Sequence, residues 1–196
     1  MTRLPMLNKV LNFSAERYFK TAGDLFIYEG DYEAALAMVE KNLELTPQDI
    51  RALVLKGDIL FCLNRDMEAL QVLNRALELN QYCAEALISK AGVLDVLGQH
   101  REALHCCEQA LPLIESHKQY LFSTVVDQKL VLLIRLKKYR EAQQVLTTAK
   151  QYLELEDYRS LLAAYRPLLE RIRKELREKR HSGSSETQVM LKLIKS

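Results

Sequence analysis

The sequence has no tryptophan, only 6 glycines and only 4 prolines in 196 residues. So few helix breakers make the composition favourable to helix. It has no run of 18 apolar residues, which predicts no transmembrane helix. The first residues are interrupted by Pro5 and Lys9 and lack a small-residue cleavage site, so they do not read as a signal peptide. An excess of one charge is missing too: 28 Lys and Arg stand against 26 Asp and Glu, a net +2. That balance alone points to neither nucleic acid nor membrane. The 4 cysteines, Cys62, Cys83, Cys106 and Cys107, have no C-x-x-C spacing. They read as small buried apolar residues in a reducing cytoplasm.

Chemistry-bearing motifs are lacking as well. There is no glycine-rich phosphate loop, no G-x-S-x-G and no H-E-x-x-H. His100, His105 and His117 with Cys106 and Cys107 invite a metal reading. On a helix, however, consecutive residues point about 100° apart, so positions 105 to 107 splay and do not converge on one ion. The expectation is no catalytic residue, no cofactor, no metal and no enzyme.

What the sequence does contain is a repeat. The residue types at Gly57, Leu60, Ala69, Leu73 and Ala76 recur one period earlier as Gly23, Phe26, Ala35, Val39 and Asn42. They recur one period later as Ala91, Leu94, Ala103, Cys107 and Ala110. The period is about 34 residues, a length that marks stacked supersecondary units rather than one globular core. Each unit reads as two antiparallel helices: about 15–28 with 32–45, 48–62 with 66–79, and 82–97 with 100–111. Gly30, Asn64 and Gly98 make the turns, and Thr46-Pro47 stops the second helix. Gly23, Gly57 and Ala91 are expected where a front helix crosses its own back helix, opposite Ala35, Ala69 and Ala103. Residues 42, 76 and 110 are expected to meet the next unit.

These residues resemble the tetratricopeptide repeat, a helix–turn–helix unit of the same period. The resemblance covers about 16–115 well and extends more weakly to about 154. It implies an all-α fold: a right-handed α-α superhelix of three regular helix pairs and one degenerate pair, plus a C-terminal capping helix. The repeat domain is expected over 14–154, in units at about 16–47, 50–81, 84–115 and 123–154. Residues 1–13 are an extension, and Ser14 is placed to cap the helix after it. In the fourth unit Ala142, Leu146 and Ala149 keep the back-helix pattern. The step from Ala103 to Ala142 is longer than the period by five, and the added residues are expected to lengthen the front helix, with Ser116 as its cap. Leu130 stands at its small-residue site. Residues 155–180 form the capping helix, kinked or split at Pro167, with Ala164 at the next small-residue site. Residues 181–196 are a flexible tail ending in an apolar stretch, VMLKLI.

The front helices are expected to line the concave side of such a stack. Residues in register there are Lys20, Asp24 and Ile27, then Arg51, Val54, Asp58 and Phe61, then Ile88 and Asp95, then Asp127. The flanking positions are Arg17 and Tyr28, Cys62, Glu85 and Val96. A groove with an apolar floor and aspartates along it suits a protein, peptide or helix with apolar anchors and some Lys or Arg. The apolar members have a second reading, as packing between neighbouring front helices. The aspartates have one as a solvated face. Tetratricopeptide co-chaperones that hold acidic chaperone tails resemble one another in a basic clamp. Here it would need lysine at 20, asparagine at 24 and 55, lysine at 85 and arginine at 89. The sequence has Lys20 but then Asp24, Leu55, Glu85 and Ser89, so an acidic-tail clamp is not expected.

Two alternatives remain at the C-terminal end. Arg171, Arg173, Lys174, Arg177, Lys179 and Arg180 form a basic run suited to nucleic acid or an anionic surface. The same run reads as a solvated terminal helix with Arg171–Glu175 and Lys174–Glu178 pairs. The apolar tail allows the reading of an assembly subunit. The favoured function is a non-enzymatic, cytoplasmic interaction scaffold or adaptor.

Overall fold

The computed structural model describes the backbone of residues 3–114 and 119–180, and side chains over 11–114, 120–167 and 170. Within those residues the chain is all helix. It divides into two compact units, Met1–Ile114 and Glu115–Ser196.

The first unit is a stack of antiparallel helix pairs. Its elements are α1 (Arg3–Asp24, continued by a wider π turn over Leu25–Glu29), α2 (Tyr32–Leu45), α3 (Ile50–Cys62), α4 (Asp66–Leu79), α5 (Ala84–Val96) and α6 (His100–Ala110). A short 3-10 turn, Leu111–Leu113, contains Pro112 and follows α6. Each front helix packs on its own back helix, and α2 and α4 pack on the next front helices, α3 and α5.

The sequence explains these boundaries. Asp31 caps α2 by accepting from Ala34 N–H at 3.0 Å, and Asp49 caps α3 by accepting from Arg51 N–H at 3.0 Å. The front helices end at residues in the left-handed region: Gly30, Asn64 and Gly98. After α3 and α5 the closing bonds are Arg65 N–H to Leu60 O and Gln99 N–H to Leu94 O. These are the long bonds of a Schellman ending, which satisfies carbonyls the helix leaves free. After α1 the bond instead runs from Asp31 N–H to Leu25 O, one residue longer, and the last turn opens into the π turn.

One helix runs from Arg3 into the first repeat, with Pro5 in its first turn, where a missing N–H costs nothing. Ser14 lies inside that helix and caps nothing.

The core of the stack is built from small residues on the back helices and larger ones beside them. Ala35, Val39, Ala52, Ile59, Leu60, Ala69, Leu73 and Val93 form one buried cluster. Ala76 sits in a second with Leu53 and Ala86, so it meets the next repeat. Asn42, at the same repeat position as Ala76, is wholly buried. It turns back to its own front helix: its amide donates to Ala15 O at 2.8 Å, and Thr46 Oγ1 donates to its Oδ1 at 3.2 Å.

The helices approach closely at Gly57. A methyl there would lie 2.7 Å from the Cγ and Cδ2 of Leu73, which is itself fully buried. At Gly23 a methyl would meet nothing within 4 Å. Val39 stands at the position of Leu73 in that pair and has one carbon less. The small residue buried completely there is Ala22.

The second unit contains α7 (Gln119–Arg135), α8 (Tyr139–Ala149) and α9 (Leu155–Arg180). The expected lengthening of the fourth front helix is present: α7 has 17 residues against 13 in α3 and in α5. Ser116 lies outside the described residues. Leu130 is fully buried in α7, which packs on α8, where Ala142 and Leu146 are also buried. The fourth pair therefore holds a leucine where the second admits only a hydrogen. Lys137 takes the left-handed turn position at φ 59. The helix α9 is not split: Pro167 lies inside it. Ala164 is exposed, and its neighbour Tyr165 is buried instead. A small-residue site serves to admit a back helix, and none follows α9 among the described residues.

Candidate functional site

The front helices α1, α3 and α5 carry the candidate groove of the first unit. Its central group is Asp58, on the third turn of α3. Burial pushes its carboxyl up to about 6, and a hydrogen bond donated by the Ser89 hydroxyl on α5 pulls the other way. Among the described residues no cation pairs with it. One turn further on, the Cys62 thiol is exposed, and desolvation and then the Asp58 charge raise its pKa. Asp58 is thus a partly desolvated acid whose one protein partner is neutral. Such a group gains from a cation brought to it.

Apolar side chains lie along the same register. Ile27 and Tyr28, in the π turn that ends the first front helix, are 68% and 80% exposed. Val96, at the equivalent end of α5, is 61% exposed. Phe61 and Val54 are partly buried, each packed at the edge of a core cluster. Lys20 and Asp24 are exposed on α1.

Other expected groove residues are engaged elsewhere. Ile88 is only 6% exposed and belongs to the packing between helices. Arg51 reaches Glu16 at 2.9 Å and Asp49 at 3.3 Å, and its guanidinium lies 4.7 Å from the centre of the Phe19 ring. It clasps α3 to α1 at the surface. Asp95 lies 2.9 Å from His100 Nδ1 at the start of α6. Asp127, in the second unit, accepts from the Tyr165 hydroxyl of α9 at 2.7 Å on its carboxylate and at 3.2 Å on its carbonyl. Burial, then Asp127, holds that phenol protonated. Glu16, Ser89, His100 and Tyr165 were not legible as partners in the sequence. Only Ser89 had a signal, since it occupies a clamp position of the resembling co-chaperones.

Two readings of the sequence need correction or placement. Cys62 is exposed rather than buried, Cys106 and Cys107 are buried, and none of the 4 cysteines is in a disulfide. The basic residues Arg171, Arg173, Lys174, Arg177, Lys179 and Arg180 fall on the last turns of α9, and their side chains lie outside the described residues. Among the described residues no three His, Cys, Asp or Glu side chains gather as a metal site would require. None of the described helices is long and apolar enough to cross a membrane.

Comparison with solved structures settles the fold. A crystal structure of MamA superimposes with a TM-score of 0.58 at 19% identity, over 74% of this chain and 86% of that one. YrrB, described as a TPR protein with an unusual peptide-binding site, matches with a TM-score of 0.56 at 22% identity, over 69% of this chain and 66% of that one. The first TPR domain of human RPAP3 matches with a TM-score of 0.54 at 18% identity, over 71% of this chain and 98% of that one. The chain has the tetratricopeptide-repeat fold. No family model and no curated protein matches it. The likeness is therefore one of architecture. The tetratricopeptide geometry accounts for the alternation of front and back helices.

Proposed function

We propose that the protein is a non-enzymatic interaction scaffold that holds a partner peptide or helix on the front helices of its first unit. The observation that carries this reading is Asp58, a half-buried carboxylate on α3 with a neutral protein partner, between front helices that carry the exposed apolar groups Ile27, Tyr28 and Val96 in their last turns. A partner with apolar anchors and a lysine or arginine meets both needs. The groove core is Asp24, Ile27, Val54, Asp58 and Phe61, with Lys20 at its edge. Arg51, Ile88, Asp95 and Asp127 shape or support the helices rather than receive the partner. An anionic tail would face Asp24 and Asp58 and be repelled. The peptide-binding site of YrrB is an instance of this fold carrying such a function in another protein. Four cysteines outside any disulfide suit a reducing compartment, and we assign the protein to the cytoplasm on that basis.

Selection from a random peptide library tests this. Binders should be enriched in apolar residues flanked by Lys or Arg. Replacing Asp58→Lys and Phe61→Ala together should weaken them by roughly a hundredfold, the loss of about 3 kcal/mol. Binders of acidic composition, or affinities unchanged by the double substitution, would rule out the groove.

A further inference from the structure

Tyr28 is 80% exposed, the highest value of any large apolar side chain among the described residues, and its neighbour Ile27 is 68% exposed. Both stand in the π turn over Leu25–Glu29 that ends the first front helix. The same turn sends Phe26 inward, where its ring packs on Tyr32 of α2 at 5.8 Å between centroids. The outer side of the turn is left apolar and open to solvent.

The charge around it is of one sign. Between Lys20 and Lys41 the chain has Asp24, Glu29, Asp31, Glu33 and Glu40 and no Lys or Arg. Three of these acids are engaged: Asp31 accepts from Ala34 N–H, Glu40 accepts from Lys56, and the charge of Glu33 is felt by Arg65. Asp24 and Glu29 are exposed and make no ion pair or side-chain hydrogen bond among the described residues. They stand at the end of a helix, whose partial negative charge opposes them and favours a cation. A carboxylate set against that field, with nothing to offset it, breaks a local rule of folding, and such breaks are expected at functional sites.

The π turn also gathers these groups. In an α-helix a residue five further on points about 140° away. In a π turn, here closed by Gly30 N–H to Leu25 O, the bonds reach back five residues and the fifth residue returns to the same face. Asp24, Tyr28 and Glu29 thus come to share one face, an aromatic ring with two carboxylates. The same helix shows what such a set takes. Glu16 and Phe19, with Asp49 from the start of α3, receive Arg51: its guanidinium lies 4.7 Å from the ring centre and 2.9 and 3.3 Å from the two carboxylates.

We propose that the outer face of this turn is the docking site for an arginine of a partner peptide, with the guanidinium stacked on Tyr28 and held by Asp24 and Glu29, and a neighbouring apolar residue of the peptide on Ile27. This deepens the peptide-groove reading, on which it rests: it adds Tyr28 and Glu29 to the site and selects arginine over lysine. A guanidinium stacks flat on a ring while its fork of N–H groups reaches two carboxylates. An ammonium is a compact charge that water holds more strongly.

Two capped, fluorescently labelled peptides, one alternating leucine with arginine and one alternating leucine with lysine, test this by anisotropy on the full chain. The arginine peptide should bind the wild type roughly fivefold more tightly. Tyr28→Leu and Glu29→Gln should each remove most of that preference. Glu29→Gln should melt at the temperature of the wild type or higher, which separates lost recognition from lost folding. Equal affinities for the two peptides, no binding of either, or a preference untouched by both substitutions would overturn the proposal. If the preference is absent yet library-selected peptides lose affinity with Asp58→Lys and Phe61→Ala, the groove stands without the arginine site. If they keep it, both readings fall.

Discussion

Asp58 shows how a single side chain links folding to recognition. Its carboxyl is raised to about 6 from an ordinary 3.8, mainly by desolvation. The folded state therefore holds that proton more tightly than the unfolded chain. The penalty for the charged form is absent below about pH 4, grows between about 4 and 6, and is complete above the folded value. A rise of that size sets a ceiling of about 3 kcal/mol, and partial solvent access lowers it to on the order of 1 to 2. Replacing Asp58→Asn should accordingly stabilise the protein at pH 7.5. The gain should shrink as pH falls from 6 to 4, as urea melts at several pH values would read. A gain that is flat with pH would place the stabilisation elsewhere. Gly57 and Gly23 give a second contrast at this scale. Gly57→Ala drives a methyl into Leu73 and should cost roughly 1 to 2 kcal/mol. Gly23→Ala meets open space and should gain roughly 0.5 to 1 kcal/mol from helix propensity. Equal melting temperatures for the two variants would contradict this difference in packing.

At the scale of elements, the same helix ending is built from different residues. Gly30, Asn64, Gly98 and Lys137 all take the left-handed turn position. Glycine and asparagine reach it at little cost, whereas a lysine is strained there by about 1 to 2 kcal/mol. Lys137→Gly should therefore raise the stability of the second unit by about 1 kcal/mol, less the extra freedom glycine gives the unfolded chain. Asn42 is the opposite case, a polar residue at a position where the other repeats have alanine. Asn42→Ala removes its bond to Ala15 and one of two acceptors for Thr46, and should cost about 1 to 2 kcal/mol in thermal or chemical melts. Helix order and turns were legible in the sequence because the repeat fixes small residues and turn residues at one period. The π turn after α1 was not, because it depends on which carbonyl the Asp31 N–H finds. The role of Tyr165 was hidden for a similar reason. The repeat pattern places Ala164 at the contact, whereas the structure buries the neighbouring Tyr165, whose hydroxyl reaches Asp127.

For the molecule as a whole, a groove acts through the side chains its fold leaves free. The sequence placed ten residues on the front face by register alone. Folding divides them by contacts that register does not contain. Arg51 binds Glu16, Asp95 lies beside His100, Asp127 accepts from Tyr165, and Ile88 is packed away. The groove proposed above is what remains: Asp24, Ile27, Val54, Asp58 and Phe61 on α1 and α3, with Lys20 at its edge. Its recognition should depend on pH, because protonating Asp58 removes the charge a cationic partner meets. Isothermal titration of one library-selected basic peptide, from pH 7.5 to pH 5, tests this most directly. Affinity should fall by several-fold through pH 6 in the wild type, and Asp58→Asn should bind weakly and with little pH dependence. The same pH profile in both proteins would contradict a groove centred on Asp58.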